Sequence, residues 1–108
     1  MAPEPLDFSI EPGHFDGSPA LLLSGELDMA TSTELATRID ELLEQRPPLI
    51  AIDMAKLSFI DSSGVGTLLK AQRLASARGV EVVLVAPSER CREILGILAA
   101  TDLFTIRD

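Results

Sequence analysis

Three short aliphatic runs recur about every thirty residues, the length of a strand–helix–strand unit: Ala20-Leu21-Leu22-Leu23, Leu49-Ile50-Ala51-Ile52 and Val80-Glu81-Val82-Val83-Leu84-Val85. Each is followed by a stretch whose apolar residues repeat at helical spacing. Runs this short cannot span a membrane, and runs this continuous suit strands covered on both faces. Parallel strands need a long crossover between them, which the intervening helical patterns supply. The alternation therefore predicts an α/β domain with a mixed, mostly parallel sheet.

The other elements fit around this frame. Leu6-Asp7-Phe8-Ser9-Ile10-Glu11 alternates apolar and polar residues, as a half-buried strand does. Pro12 to Pro19 is dense in turn formers and reads as a loop that returns the chain. Gly25-Glu26-Leu27-Asp28 breaks the second strand. Thr31 and Glu34 have the spacing of a capping box, and Leu35, Ile39, Leu42 and Leu43 line the helix that follows until Pro47-Pro48 stops it. Leu49 to Met54 is a central strand, and Phe59 to Gly64 leads into a second helix with Val65, Leu68, Leu69, Gln72 and Ala75 on one stripe and Gly79 at its end. Ser88 caps a third helix striped by Cys91, Ile94, Leu95 and Leu98, and Leu103 to Ile106 forms a short edge strand. Residues 1–5 read as a flexible tail and 6–108 as one domain of about four to five strands and three to four helices.

Composition narrows the function. With 17 acidic and 9 basic residues the net charge is −8, so nucleic acids and anionic membranes are repelled, while a basic protein surface is attracted. Trp and Tyr are absent, which removes the stacking platforms of single-strand binders. Cys91 is the single cysteine and excludes an internal disulfide. The start of the chain lacks the basic and apolar regions of a secretory signal, so the expected setting is the reducing cytoplasm.

In sheets of this kind functional groups collect at the carboxyl ends of strands, which here bear Ser24 to Asp28, Asp53, and Asp61-Ser62-Ser63-Gly64. A catalytic Ser62 would need a base, and the single histidine, His14, lies in the Pro/Gly-rich turn. There is no nucleophile elbow and no phosphate-binding glycine loop, so the chain is read as non-catalytic. Asp28, Asp53 and Asp61 could hold magnesium as receiver domains do, but Asp53 as a strand end and Asp61 as a helix cap explain them without a metal. Asp61-Ser62-Ser63-Gly64 is most informative, because the first turn of a helix offers free N–H groups and a positive dipole end. A phosphate on Ser62 would be tolerated by the helix while adding about −1.5 to −2 charges to the surface beside Asp61.

These same residues resemble the anti-anti-sigma factors (anti-sigma factor antagonists) of bacteria, the small STAS-domain proteins. Leu23-Ser24-Gly25-Glu26-Leu27-Asp28 is similar to the family's L-x-G-E-L-D, and Ile50-Ala51-Ile52-Asp53 matches the strand before its switch. Leu57-Ser58-Phe59-Ile60-Asp61-Ser62-Ser63-Gly64-Val65-Gly66 is similar to L-x-F-x-D-S-S-G-x-G, the most specific of the three. The likeness covers about Leu6 to Ile106.

The resemblance implies a single STAS-like domain phosphorylated at Ser62. It also implies a docking face made of Gly25, Glu26, Leu27, Asp28, Asp61, Ser62, Ser63, Gly64 and Val65. The implied partner is an anti-sigma factor that is also a serine kinase of the histidine-kinase-like ATPase fold. Binding it frees a sigma factor, phosphorylation ends the complex, and a PP2C-type phosphatase restores it. ATP and magnesium belong to the kinase, so no cofactor is expected in this chain, which would be a monomer or weak dimer. Family members continue into a C-terminal helix, whereas this sequence stops at Asp108, so Ile97 and Phe104 are expected to be exposed. The other function the family suggests is an unphosphorylated STAS scaffold or ligand sensor in a larger signalling assembly.

Overall fold

The computed structural model describes residues 8–108, so the expected tail at 1–5 and the start of the first strand at Leu6-Asp7 lie outside the described residues. Five strands and three α-helices follow in the order β1 (Ser9–Phe15), β2 (Ser18–Leu27), α1 (Ser32–Glu44), β3 (Leu49–Ile60), α2 (Ser62–Ser76), β4 (Glu81–Val85), α3 (Glu89–Ile97) and β5 (Thr105–Arg107), with a short 3-10 turn at Thr101–Leu103. The sheet order is β1-β2-β3-β4-β5. β1 is antiparallel to β2, and the other neighbours are parallel. The mixed, mostly parallel sheet expected from the sequence is thus present.

Several boundaries differ from the sequence reading. Pro12 to Phe15 is strand rather than loop: the ladder runs from Ser9–Ser24 to Phe15–Ser18, closed by Asp16-Gly17. Both turn residues have positive φ, 51° and 78°, the left-handed pair that a two-residue hairpin requires and that Asp-Gly supplies. Gly25 to Leu27 continue β2 instead of breaking it, and β3 runs on through Phe59 and Ile60. The two strands hold each other here: Gly25 pairs with Leu57 and, after a register shift between Gly25 and Glu26, Leu27 with Ile60. A ladder between distant segments overrides the local turn propensity of Gly25, and the chain turns only at Asp28, after β2 has ended.

Leu21, Ile52, Leu84 and Ile106 stand in register across four strands. With Leu23, Ile50, Met54 and Val82 they join Leu35, Ile39 and Leu43 of α1 and Leu68, Ala71 and Ala75 of α2 in one apolar cluster. The alternate row, Leu22, Asp53, Val85 and Arg107, points the other way and is half-buried or exposed. The neighbouring row on that side, Ala20, Ala51 and Val83, is buried, so the strands expected to be covered on both faces are covered on both at their centres and open on one side only toward their ends.

The helix ends also depart from expectation in part. Thr31 precedes α1 but makes no side-chain cap, so the capping box does not form. Ser88 does cap α3, accepting from the Cys91 N–H, and its hydroxyl donates to the Leu57 carbonyl at 2.6 Å. Leu98, expected on the buried stripe, is 42% exposed because α3 ends at Ile97. Ile97 is exposed as expected, but Phe104 is not: at 8% it belongs to the core.

Burial pushes the Cys91 thiol above its ordinary 9.0, against a smaller lowering by Ser88. The folded protein then keeps a proton that the unfolded chain releases, so this stabilisation is complete below pH 9.0 and is lost as pH rises through the shifted value. Urea midpoints should fall above that pH, and Cys91→Ala should remove part of the fall. Identical slopes in the two proteins would contradict the assignment.

Candidate functional site

The parallel pairing of β2 with β3 places the two ends carrying the motifs side by side, since Leu27 pairs with Ile60. The chain leaves both strands at one edge: Asp28 opens the loop to α1, and Asp61 opens α2. One hydrogen bond ties the two exits, the Asp61 N–H donating to the Leu27 carbonyl at 3.1 Å. The Ser58 hydroxyl adds a second tie, donating to the Gly25 carbonyl at 3.0 Å.

Asp61 is the N-cap of α2. Its backbone is extended, with φ −106° and ψ −176°, and its carboxylate accepts from the Gly64 N–H at 2.9 Å. Ser62 and Ser63 follow as the first two helical residues, positions whose N–H groups have no intrahelical acceptor. Ser62 is exposed and Ser63 half-buried. Gly64 lies on the buried side, and space decides its identity. A Cβ there would stand 2.8 Å from Ile60 Cγ1 and 2.9 Å from both Cγ and the carbonyl oxygen of Leu27. The first turn of α2 is therefore pressed directly onto the end of β2.

The loop after β2 is built around Asp28 and Thr31. The Asp28 Oδ1 accepts from the N–H groups of Ala30 and Thr31 at 3.0 and 3.1 Å, an Asx turn. The Thr31 hydroxyl donates to the Glu26 carbonyl and accepts from the Asp28 N–H, both at 2.9 Å. That is why it caps nothing: turned back onto the strand end, it fastens the loop and leaves α1 alone. The Ser32 hydroxyl donates to the Asp28 carbonyl at 2.6 Å.

The nine expected docking residues fall into two groups. Ser62 is exposed, and Glu26, Asp28, Asp61 and Ser63 are half-buried around it. Gly25, Leu27, Gly64 and Val65 are buried, so their side chains shape the surface without forming it. Sequence reasoning missed Met29, which is 76% exposed at the tip of the loop. The available signal was an apolar residue in a polar turn, out of phase with the stripe of α1. Thr31 and Ser58 were also missed as loop fasteners, because their partners are carbonyls that only the fold brings near.

Two other expected participants lie elsewhere. Asp53 is in the middle of β3, its Oδ1 accepting from the Ala55 N–H, and about 25 Å of strand separates it from Asp61. Asp28, Asp53 and Asp61 therefore do not converge as a metal site would require. His14 is in β1 opposite Pro19, about 25 Å of strand from Leu27, which puts it beyond proton-transfer reach of Ser62.

An anti-sigma F factor antagonist of Paenibacillus polymyxa is 29% identical over 103 residues, covering 92% of this chain and 88% of that one. The crystal structure of an anti-sigma factor antagonist from Mycobacterium paratuberculosis has the same fold, with a TM-score of 0.83 at 22% identity over 96% of this chain and 88% of that one. The Bacillus cell fate determinant SpoIIAA in its phosphorylated form gives a TM-score of 0.66 at 26% identity, over 93% of this chain and 90% of that one. The STAS domain family matches residues 10–108, nearly all of the sequence, and with the strand pairing and the two motif-bearing exits described above this makes the chain a member of the STAS domain family.

Proposed function

We propose that this protein is an anti-sigma factor antagonist switched at Ser62. The observation that carries the reading is the placement of an exposed Ser62 as the first residue of α2, its cap residue hydrogen-bonded to the end of β2, which bears Glu26 and leads into the loop of Asp28 and Met29. The names of its relatives support the same conclusion. In the unphosphorylated state the surface around Ser62 docks an anti-sigma factor, a serine kinase of the histidine-kinase-like ATPase fold, and a sigma factor is released. Met29 is the apolar anchor of that surface, and Glu26, Asp28 and Asp61 form its acidic rim, complementary to a basic patch on the partner.

The kinase transfers the terminal phosphoryl group of ATP to the Ser62 oxygen, with ADP as the other product. The phosphoserine presents about −1.5 to −2 charges beside three carboxylates and ends the complex. A PP2C-type phosphatase hydrolyses the ester and returns the hydroxyl. The chain itself performs no catalysis and acts in the cytoplasm, where its partners are. No helix among the described residues is long and apolar enough to cross a membrane.

The test uses purified anti-sigma factor kinases encoded in the same genome, with labelled ATP. Wild type should take up one phosphate and Ser62→Ala none, while Ser62→Ala keeps its affinity within about threefold, since a lost surface hydroxyl costs under about 0.7 kcal/mol. Uptake by Ser62→Ala, or binding of neither protein, would overturn the proposal.

A further inference from the structure

The motif around the switch contains two glycines, and the fold explains one of them. Gly64 is wedged against Leu27, but Gly66 is exposed, and a Cβ added there would meet nothing within 4 Å. Its backbone is ordinary helix, where glycine is the poorest residue short of proline. Nothing among the described residues calls for a bare backbone at that point.

Gly66 lies one turn beyond Ser62. With 3.6 residues per turn, Ser62, Gly66, Leu69 and Arg73 fall within about 60° of one another around α2, and Lys70 flanks them. At its far end this stripe meets a socket of ≈ 200 Å³ lined by Leu69, Gln72, Arg73 and Leu103. The Gln72 side chain holds the socket open to one side by donating to the Leu103 carbonyl at 2.8 Å, and Leu103 is 52% exposed. The charge is also distinctive. In a chain of net charge −8, residues 62–80 contain no acidic residue and carry Lys70, Arg73 and Arg78, all exposed. Among the described residues the ion pairs are Arg90–Glu93 and Arg92–Asp108, neither of which uses these cations.

We propose that this stripe of α2 is a second docking surface, a seam that receives an acidic–apolar segment of the protein bound at Ser62. An apolar side chain of that segment enters the Leu69–Leu103 socket, its carboxylates meet Lys70 and Arg73, and its backbone passes over Gly66, where any side chain would hold it off. The proposal rests on the function argued above, because it concerns the same partner. It adds that the contact has two electrostatic halves of opposite sign, acidic at the strand exits and basic along the helix. A polar switch at Ser62 then sits at one end of a longer interface, which gives the partner affinity that the small exposed rim lacks.

The experiment measures affinity for the purified anti-sigma factor that binds wild type, alongside melting temperature and sedimented mass. Gly66→Ala should raise the melting temperature by about 4–8 °C, because alanine is the better helix former, yet weaken binding about tenfold or more. Gly66→Leu should abolish binding with the fold intact. Arg73→Glu should weaken binding at least tenfold at low salt and flatten its salt dependence. If Gly66→Leu binds like wild type while Ser62→Asp does not, the seam is wrong and the switch survives. If the sedimented mass of wild type falls in Gly66→Leu, the seam holds a second copy of this chain and the proposal is overturned. If wild type binds no anti-sigma factor, both proposals fall together.

Discussion

Gly64→Ala is expected to lower the stability of the domain by about 2 kcal/mol and its melting temperature by about 8–16 °C, although alanine is the better helix residue. Two of the three atoms the new methyl would strike are side-chain carbons of Leu27 and Ile60, both fully buried and packed in the core. The third is the Leu27 carbonyl oxygen, which belongs to the backbone and accepts the bond from the Asp61 N–H. To make room, α2 must lift away from the end of β2, stretching that bond and loosening the apolar contacts beneath. Overpacking of this kind costs typically 1–3 kcal/mol, and weakening a hydrogen bond about 1 more, against about 1 gained from helix propensity. Thermal unfolding followed by circular dichroism decides the matter: an unchanged or raised melting temperature would show that the two exits are not in the close contact described. The opposite signs expected for alanine at Gly64 and Gly66, two residues apart, separate a glycine required by the fold from one that the fold does not require.

The second large effect concerns partner affinity. Ser62→Asp should melt no lower than wild type, and by about 1–8 °C higher, because a carboxylate in the first turn of a helix is favoured by roughly 0.3–1 kcal/mol and the position is exposed. The same carboxylate should weaken binding of the anti-sigma factor at least about thirtyfold. Docking would bury it without a partner, beside Glu26, Asp28 and Asp61, and an uncompensated charge in an interface costs about 2–5 kcal/mol, which corresponds to a factor of about thirty to several thousand. Raising the salt should recover little of the loss, since a desolvated charge is poorly screened. Titration calorimetry with both variants provides the measurement. An affinity within threefold of wild type, or loss of the folded dichroism signal, would end the account of Ser62 as a switch that leaves the fold intact.

Much of this site was legible before any coordinates. Asp61 as cap and Ser62 as the first exposed residue of a helix follow from local chemistry, because a cap is a contact between residues three apart. Ser88 and its helix were legible for the same reason. The hairpin was misread because Pro12, Gly13 and Pro19 are turn formers on average, while the ladder between Ser9–Phe15 and Ser18–Ser24 needs only that the closing pair, Asp16-Gly17, adopt the left-handed conformation. Thr31 was misassigned by the same kind of error. Its spacing to Glu34 satisfies a capping pattern, but a nearer acceptor, the Glu26 carbonyl, exists only once β2 has ended beside it.

The amino-acid sequence alone determined the alternation of strands and helices, the aliphatic core and the chemistry available at the start of α2, because each depends on residues within a few positions of one another. Only the tertiary structure decided that Leu27 meets Asp61, that Asp53 stands far from the strand exits, that Met29 projects, and that Gly64 is wedged while Gly66 is bare. Those facts depend on the parallel register of β2 on β3, which joins segments more than thirty residues apart. No local preference encodes that register; it is selected by the burial of one whole face of side chains at once.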